Sequence, residues 1–187
     1  MNSHLHIKNV VCQRCIMAVE DILHELEIPY SQVSLGEAFL NKELTSIERH
    51  QLQKCFEKVG FEIIQDRNEK IINSIKSIII DEVYSNDKSN QKLSAILTNA
   101  LNFDYSHITH LFSESEGHSI QEFYSAIRLE RVKELLNYDE WSIAIIADNL
   151  GYSTPAYLST SFKKATGLTP SEYRNSQLKD RKSLDSV

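Results

Sequence analysis

The 187-residue sequence predicts two unlike halves. Residues 1–67 read as an α+β segment of ferredoxin-like βαββαβ order. Residues 68–175 read as an all-α segment in which two helix-turn-helix units are joined by a linking helix, with a polar tail over 176–187. Three observations carry this reading. Period-two alternation of apolar residues occurs only in the first third, whereas helical spacing dominates afterwards. A repeat with an offset of about 50 residues runs through the second half. The polar run Asp66-Arg67-Asn68-Glu69-Lys70 separates the two textures.

The N-terminal elements follow in order. His4 to Val11 alternates, with Leu5, Ile7 and Val11 on one side and His4, His6 and Lys8 on the other, as in a half-buried strand. His4 and His6 therefore face solvent by default, with a metal-assisting role for one of them as the lesser alternative. Ile16, Val19, Ile22, Leu23 and Leu26 recur at helical spacing, and Pro29 ends that helix. Gln32 to Leu40, interrupted by Gly36, holds a bent strand or a tight hairpin, and a third strand is hard to find between Gly36 and Thr45. Ile47 to Val59 is helical again, with Leu52, Cys55, Phe56 and Val59 on its apolar stripe, so Cys55 is a packing residue. Gly60 closes this helix, and Phe61 to Ile64 is the last strand.

Beyond the seam, Ile71, Ile75, Ile78, Ile79 and Val83 form a helical stripe, and Ser85 to Gln91 is a loop. Ile108-Thr109-x-x-Phe112-x4-Gly117-x-Ser119-x-x-Glu122-Phe123 then recurs as Leu158-Ser159-x-x-Phe162-x4-Gly167-x-Thr169-x-x-Glu172-Tyr173. Upstream, Ala95-Ile96-Leu97 and Leu101 match Ala144-Ile145-Ile146 and Leu150 at an offset of 49, the slip falling in a turn. Each copy, about 90–118 and 140–168, is a short apolar helix, a turn and a second helix. Gly151 supplies a positive φ in the second turn, and Asn102, which also tolerates that conformation, stands in its place in the first. Asp104 and Ser153 or Thr154 are the candidate N-caps, with Pro155 in the first helical turn.

Composition narrows the function classes. A net charge of −6 and a pI near 5.6 argue against a uniformly basic nucleic-acid coat. The charge is uneven, because Ser153 to Lys182 holds six basic residues (Lys163, Lys164, Arg174, Lys179, Arg181 and Lys182) against Glu172 and Asp180. No apolar run approaches the ~18 residues of a membrane span, and no secretory leader pattern opens the chain, so a cytoplasmic location is expected. Three cysteines without such a leader point to reduced thiols. Nothing resembles a nucleophile–base pair, a phosphate loop or paired carboxylates, so an enzyme is not expected.

The C-terminal segment closely resembles the DNA-binding domain of the AraC/XylS family of transcription regulators. The resemblance rests on the linking helix Ile127-Arg128-Leu129-Glu130-Arg131-Val132-Lys133-Glu134-Leu135-Leu136 and on Ile143 to Arg174, above all GYSTPAYLSTSFKKATGLTPSEYR. It covers about residues 70–175 and implies a seven-helix module whose two recognition helices enter successive major grooves of promoter DNA. It makes Ser106, Thr109 and His110, and their counterparts Ala156, Ser159 and Thr160, the candidate base contacts. Lys163, Lys164 and Arg174 become the candidate phosphate contacts. RNA polymerase and a second copy of the chain are further expected partners. The sequence departs from the family in having no Arg or Gln on either recognition face. Thr98 stands where the second unit has Ala147, and Ser113 and Glu114 stand where it has Lys163 and Lys164. The second unit is therefore expected to supply most of the affinity. His107 and His110 stand at the i,i+3 spacing of metal ligands on a helix, but an exposed polar pair is the better account.

Cys12-Gln13-Arg14-Cys15 falls at a strand-to-helix junction, where the helix dipole favours thiolate. Two thiolates on one tight loop suit a soft ion such as Cu(I). With Lys58-Val59-Gly60-Phe61 leading into the last strand, residues 4–65 resemble the heavy-metal-associated domain of copper chaperones and metal-pumping ATPases, which implies metal binding by Cys12 and Cys15. Val10 stands where that family has a methionine, while Phe61 matches its aromatic residue beside the metal loop. A redox pair and a domain kept for packing or dimerisation are the rival readings. The whole-chain reading is a regulator that senses a soft metal ion. Its alternative is a metallochaperone or redox adaptor whose helical half docks on another protein.

Overall fold

The computed structural model describes residues 3–85, 91–138, 141–176 and 182–186. The N-terminal elements are β1 (Ser3–Lys8), α1 (Gln13–Glu25), β2 (Tyr30–Ser34), β3 (Glu37–Leu40), α2 (Ser46–Lys58) and β4 (Glu62–Ile64). The four strands form one antiparallel sheet in the order β2-β3-β1-β4. Alternation along β1 sends Leu5 and Ile7 into a core shared with Val19 and Leu23 of α1 and Leu52 and Phe56 of α2. His4 and His6 lie on the other face, in register with Phe39 and Glu37 of β3.

Several expectations are corrected here, each for a local reason. Val10, not Val11, enters the core, because Asn9 at φ +70° ends β1 and shifts the side-chain phase by one residue. The elusive third strand is β3, paired with β2 across a tight Leu35-Gly36 turn; only Ala38 and Leu40 point inward, too short a pattern to register as alternation. Helix α1 stops well before Pro29. Glu27 takes φ +53°, and the Ile28 N–H donates to the Leu23 carbonyl, so backbone geometry closes the helix and Pro29 only precedes β2. Cys55 is half-buried, leaving Leu52 and Phe56 to carry the stripe of α2. That helix starts with a Thr45/Glu48 capping box, and the Lys42 ammonium, with the N–H and hydroxyl of Thr45, holds the Glu48 carboxyl down to about 2.

The polar seam is helical rather than a linker. The Asp66 carboxylate accepts the N–H groups of Asn68 (2.8 Å) and Glu69 (3.0 Å) and so caps α3 (Arg67–Tyr84). This helix docks on the β2–β3 turn. Gly36 has φ +73°, and a Cβ there would sit 2.5 Å from both Asn73 Nδ2 and Ser77 Oγ. The buried Asn73 amide donates to the carbonyls of Gly36 (3.2 Å) and Ile7 (3.4 Å), and the Ser74 hydroxyl donates to Glu37 Oε1 (3.3 Å).

The remaining helices are α4 (Leu93–Leu101), α5 (Tyr105–Glu116), α6 (Ile120–Tyr138), α7 (Ile143–Asn149), α8 (Pro155–Thr166) and α9 (Pro170–Asn175), with a short 3-10 turn at Leu184–Ser186. No strand follows β4 among the described residues. The linking helix is longer than the sequence pattern indicated. Ser119 caps α6 in a box with Glu122, as Thr169 caps α9 with Glu172, so the first copy of the closing helix has fused into the linker. Within α6, Glu130 and Lys133 form a buried ion pair at 2.8 Å, and the second Glu130 oxygen accepts the Lys182 N–H at 2.9 Å.

By packing, the chain divides into one compact unit of residues 1–82 with 89–117 and another of 83–88 with 118–187. The sheet, most of α3 and the first helix-turn-helix thus share a unit, although the sequence texture changes at residue 67. Inside this unit Lys76 of α3 pairs with Glu116 of α5 at 2.7 Å. Most of the expected loop over 85–91 lies outside the described residues, as do Leu178, Lys179, Asp180 and Arg181 of the tail.

These contacts set three expected stability losses. Gly36→Ala adds a steric overlap with α3 to the positive-φ penalty and should cost about 2–4 kcal/mol. Gly151→Ala, at φ +66° with nothing within 4 Å, should cost only about 1–2 kcal/mol. Urea midpoints followed by circular dichroism will rank them. Lys133→Ala strands the buried Glu130 carboxylate and should cost about 3–5 kcal/mol, most of which Glu130→Leu with Lys133→Met should restore.

Candidate nucleic-acid interface and thiol pair

The two helix-turn-helix units are built by the same local chemistry. In the first, α4 ends at Asn102 with φ +54°; in the second, the chain turns at Gly151 with φ +66°. Thr154 accepts the Tyr157 N–H at 3.1 Å and caps α8, with Pro155 at its first position. Asp104 occupies the matching position before α5 without a side-chain cap bond. Thr98 fits beside α5 because its hydroxyl donates to the carbonyls of Ser94 (3.0 Å) and Ala95 (3.1 Å), within its own helix, whereas Ala147 has no such group to satisfy.

Burial follows the repeat residue by residue. From 106 to 123 and from 156 to 173 the sequence of buried, half-buried and exposed positions is identical. Ile108 and Phe112 of α5, like Leu158 and Phe162 of α8, are buried, and Phe162 meets Tyr173 edge-on at 5.3 Å. Ser106 and His110 are exposed and Thr109 is half-buried; Ala156 and Thr160 are exposed and Ser159 is half-buried. Thr109 donates its hydroxyl to the Ser106 carbonyl, and Ser159 to the Pro155 carbonyl, each at 3.0 Å. With their protons so engaged, both hydroxyls are left as acceptors.

The cationic candidates divide. Lys163 and Lys164 are exposed on the last turn of α8, while Ser113 and Glu114 are exposed at the matching place on α5. Arg174 is half-buried and donates to the Trp141 carbonyl, tying α9 to the segment before α7. His110 lies 3.9 Å from Glu114, but both side chains are largely solvated, so the pair adds little. His107 leans on Phe103, with ring centroids 5.2 Å apart.

Sequence reasoning missed Arg128. Its guanidinium stacks on Tyr152, 3.8 Å from the ring centre, and lies 5.2 Å from the Tyr124 ring. Tyr152 belongs to the turn between α7 and α8, and burial pushes its phenol up. The linking helix thereby grips the turn that aims α8. Tyr124 and Arg128 were visible as an i,i+4 pair, but nothing in sequence pointed to Tyr152 as the third member.

At the other end, Cys12 occupies the N-cap of α1 and Cys15 its first turn, with Sγ atoms 3.3 Å apart. The thiols are unequal. Burial raises Cys12, but the nearby N–H of Cys15, the Cys15 thiol, the N–H of Arg14 and the Arg14 charge outweigh it, leaving Cys12 below the usual thiol range. Cys15 is pushed up by burial and by the Cys12 thiol beside it. Asn9 Nδ2 donates to the Gly60 carbonyl at 2.8 Å, tying the loop to the segment before β4. Phe61 packs edge-on against Phe56 in the core. Two converged, partly buried thiols with one biased toward thiolate fit a soft ion of low coordination number.

Comparison with known proteins concerns mainly the helical half. Residues 97–176 match the family described as a helix-turn-helix domain. The chain is 33% identical over 109 residues to the transcriptional regulatory protein YesN of Bacillus subtilis, covering 57% of this chain and 29% of that protein. It is 26% identical over 156 residues to the Msm operon regulatory protein of Streptococcus mutans, covering 78% and 54% respectively. The arabinose operon regulatory protein of Escherichia coli is 36% identical over 69 residues, 37% of this chain and 24% of its own length. The chain thus spans about half or less of the length of these relatives. The solved C-terminal domain of AraT, a response regulator from Geobacillus stearothermophilus, superposes with a TM-score of 0.50 at 29% identity, over 58% of this chain and 87% of that one. No helix among the described residues is long and apolar enough to cross a membrane. Residues 97–176 thus form a helix-turn-helix domain similar to those of AraC-type transcription regulators.

Proposed function

We propose that the chain is a promoter-binding transcription regulator of the AraC type whose N-terminal domain responds to a soft metal ion. The observation that carries the DNA-binding part is the matched exposure of two recognition helices, α5 and α8, repeated position for position. Ser106, Thr109 and His110, with Ala156, Ser159 and Thr160, are the groups that meet base edges in this reading. Thr109 and Ser159 accept hydrogen bonds from exocyclic amines in the major groove. Lys163 and Lys164 bind phosphate, and Arg174 serves chiefly to hold α9 against the Trp141 segment. Affinity centres on the second unit, since α5 carries Ser113 and Glu114 where α8 carries lysines.

The strand order β2-β3-β1-β4 with two helices on one face supports a ferredoxin-like, heavy-metal-associated type of N-terminal domain. Cys12 and Cys15 would hold a Cu(I)-like ion. The contacts from the β2–β3 turn through Asn73 to α3, and from Lys76 to Glu116 of α5, offer a route by which that domain biases the first recognition helix. The unequal thiols also favour a second reading, a redox pair with Cys12 as the attacking sulfur. RNA polymerase and a second copy of the chain complete the proposed partners.

Lys163→Ala should weaken binding to all DNA sequences alike and lower the slope of log K against log salt by about 0.9. A loss confined to one base pair in a binding-site scan would instead make Lys163 a base reader. Cys12→Ser with Cys15→Ser should abolish metal-dependent transcription while sparing DNA affinity in a gel-shift titration. An unchanged metal response in that variant would remove the sensor role. Near neutral pH, iodoacetamide should modify Cys12 before Cys15 in peptide mass spectra, and the reverse order would contradict the thiol assignment.

A further inference from the structure

Alternation along β1 does more than turn two histidines away from the core. It places His4 and His6, two residues apart on one strand, on the same face, and the antiparallel register sets Glu37 of β3 directly opposite His6. Glu37 Oε2 lies 3.4 Å from His4 Nε2, and Glu37 Oε1 lies 3.5 Å from His6 Nδ1. One donor atom from each residue falls within 4.8 Å of the other two, the only such group of three found among the described residues. His6 Nδ1 is buried yet makes no hydrogen bond. A buried ring nitrogen without a partner calls for a physical reason.

We propose that His4, His6 and Glu37 bind a divalent first-row transition-metal ion of the Zn(II) class, distinct from the soft ion assigned to the thiol pair. An ion with bonds of ~2.0–2.2 Å to nitrogen and carboxylate ligands sets tetrahedral ligand–ligand edges of about 3.3–3.5 Å. The two observed N···O separations, each to a different Glu37 oxygen, are close to such edges and long for hydrogen bonds. An ion at the centre would also satisfy His6 Nδ1. Two neutral imidazoles and one carboxylate form a nitrogen–oxygen donor set of borderline softness, suited to Zn(II), Co(II), Ni(II) or Cu(II) and not to Cu(I). The surroundings are those of supported ligands. The Ser74 hydroxyl donates to Glu37 Oε1 at 3.3 Å from α3, and the Phe39 ring stacks on His4 with centroids 4.4 Å apart and planes 12° apart. Three protein ligands leave a fourth position for water or an added anion. Since Glu37 begins β3 just after the Gly36 turn and Ser74 lies on α3, occupancy would brace the same junction that Gly36 and Asn73 form.

The test is a Co(II) titration of the full chain carrying Cys12→Ser and Cys15→Ser, which removes thiolate ligation and makes the outcome independent of the thiol-pair reading. One equivalent should bind with visible d–d bands and no thiolate charge-transfer band. His4→Gln and Glu37→Gln should each weaken binding by at least tenfold, whereas His24→Gln, on the exposed side of α1, should leave it unchanged. Because a site variant could disturb folding, amide spectra of the Cys-to-Ser protein itself provide a second readout. Paramagnetic broadening by Co(II) should centre on residues 4–7 and 36–39. No binding by the Cys-to-Ser protein, equal binding by His4→Gln, or broadening centred elsewhere would each overturn the site.

Discussion

The docking of α3 on the β2–β3 turn is the constraint on which the first compact unit depends. Gly36 has no side chain, so the helix approaches until the buried Asn73 amide can donate to the Ile7 carbonyl and to the Gly36 carbonyl, which also accepts the Ile7 N–H. A buried amide left unpaired costs free energy comparable to the hydrogen bonds it fails to make. The positive φ of Gly36, the short β3 and the position of Asn73 on α3 are therefore mutually required. The same helix then reaches α5 through the Lys76–Glu116 pair, which explains why the first helix-turn-helix groups by packing with the sheet.

The second unit uses a different principle. Its linking helix carries charged groups into the interior: Glu130 pairs with Lys133 and accepts the Lys182 N–H, and Arg128 lies against the faces of Tyr152 and Tyr124, with its buried Nε and Nη2 making no hydrogen bond. Such groups contribute little net stability, but they admit few alternative arrangements. Gripping Tyr152 holds the turn before α8, so precision at the candidate reading face comes from behind it. The first unit, with Asn102 in the turn and no side-chain bond from Asp104, is held mainly by its apolar core of Leu97, Ile108 and Phe112.

The N-terminal domain presents two chemically different donor sets. The thiols of Cys12 and Cys15 come from positions three apart at the start of α1, so their convergence is local and was legible as a CxxC motif. Glu37 meets His4 and His6 only because β3 pairs antiparallel to β1 in one register, some thirty residues away in sequence. A one-residue slip would send it to the opposite face. That difference in sequence separation explains why the thiol pair was anticipated and the histidine–carboxylate cluster was not.

The repeat, its turns and the inward stripes of α5 and α8 were determined by the sequence alone, since each depends on spacing within one or two helical turns. So were the helices of the N-terminal segment and the alternation of β1. The tertiary structure decided the rest: that Val10 and not Val11 is core, that Asp66 starts a helix rather than a linker, that α6 absorbs the first copy of the closing helix, and that Arg174 is occupied by the Trp141 carbonyl. These outcomes turn on one backbone dihedral, one cap and pairings between distant residues. Local spacing carries no information about such pairings, because the partners meet only when the chain has folded.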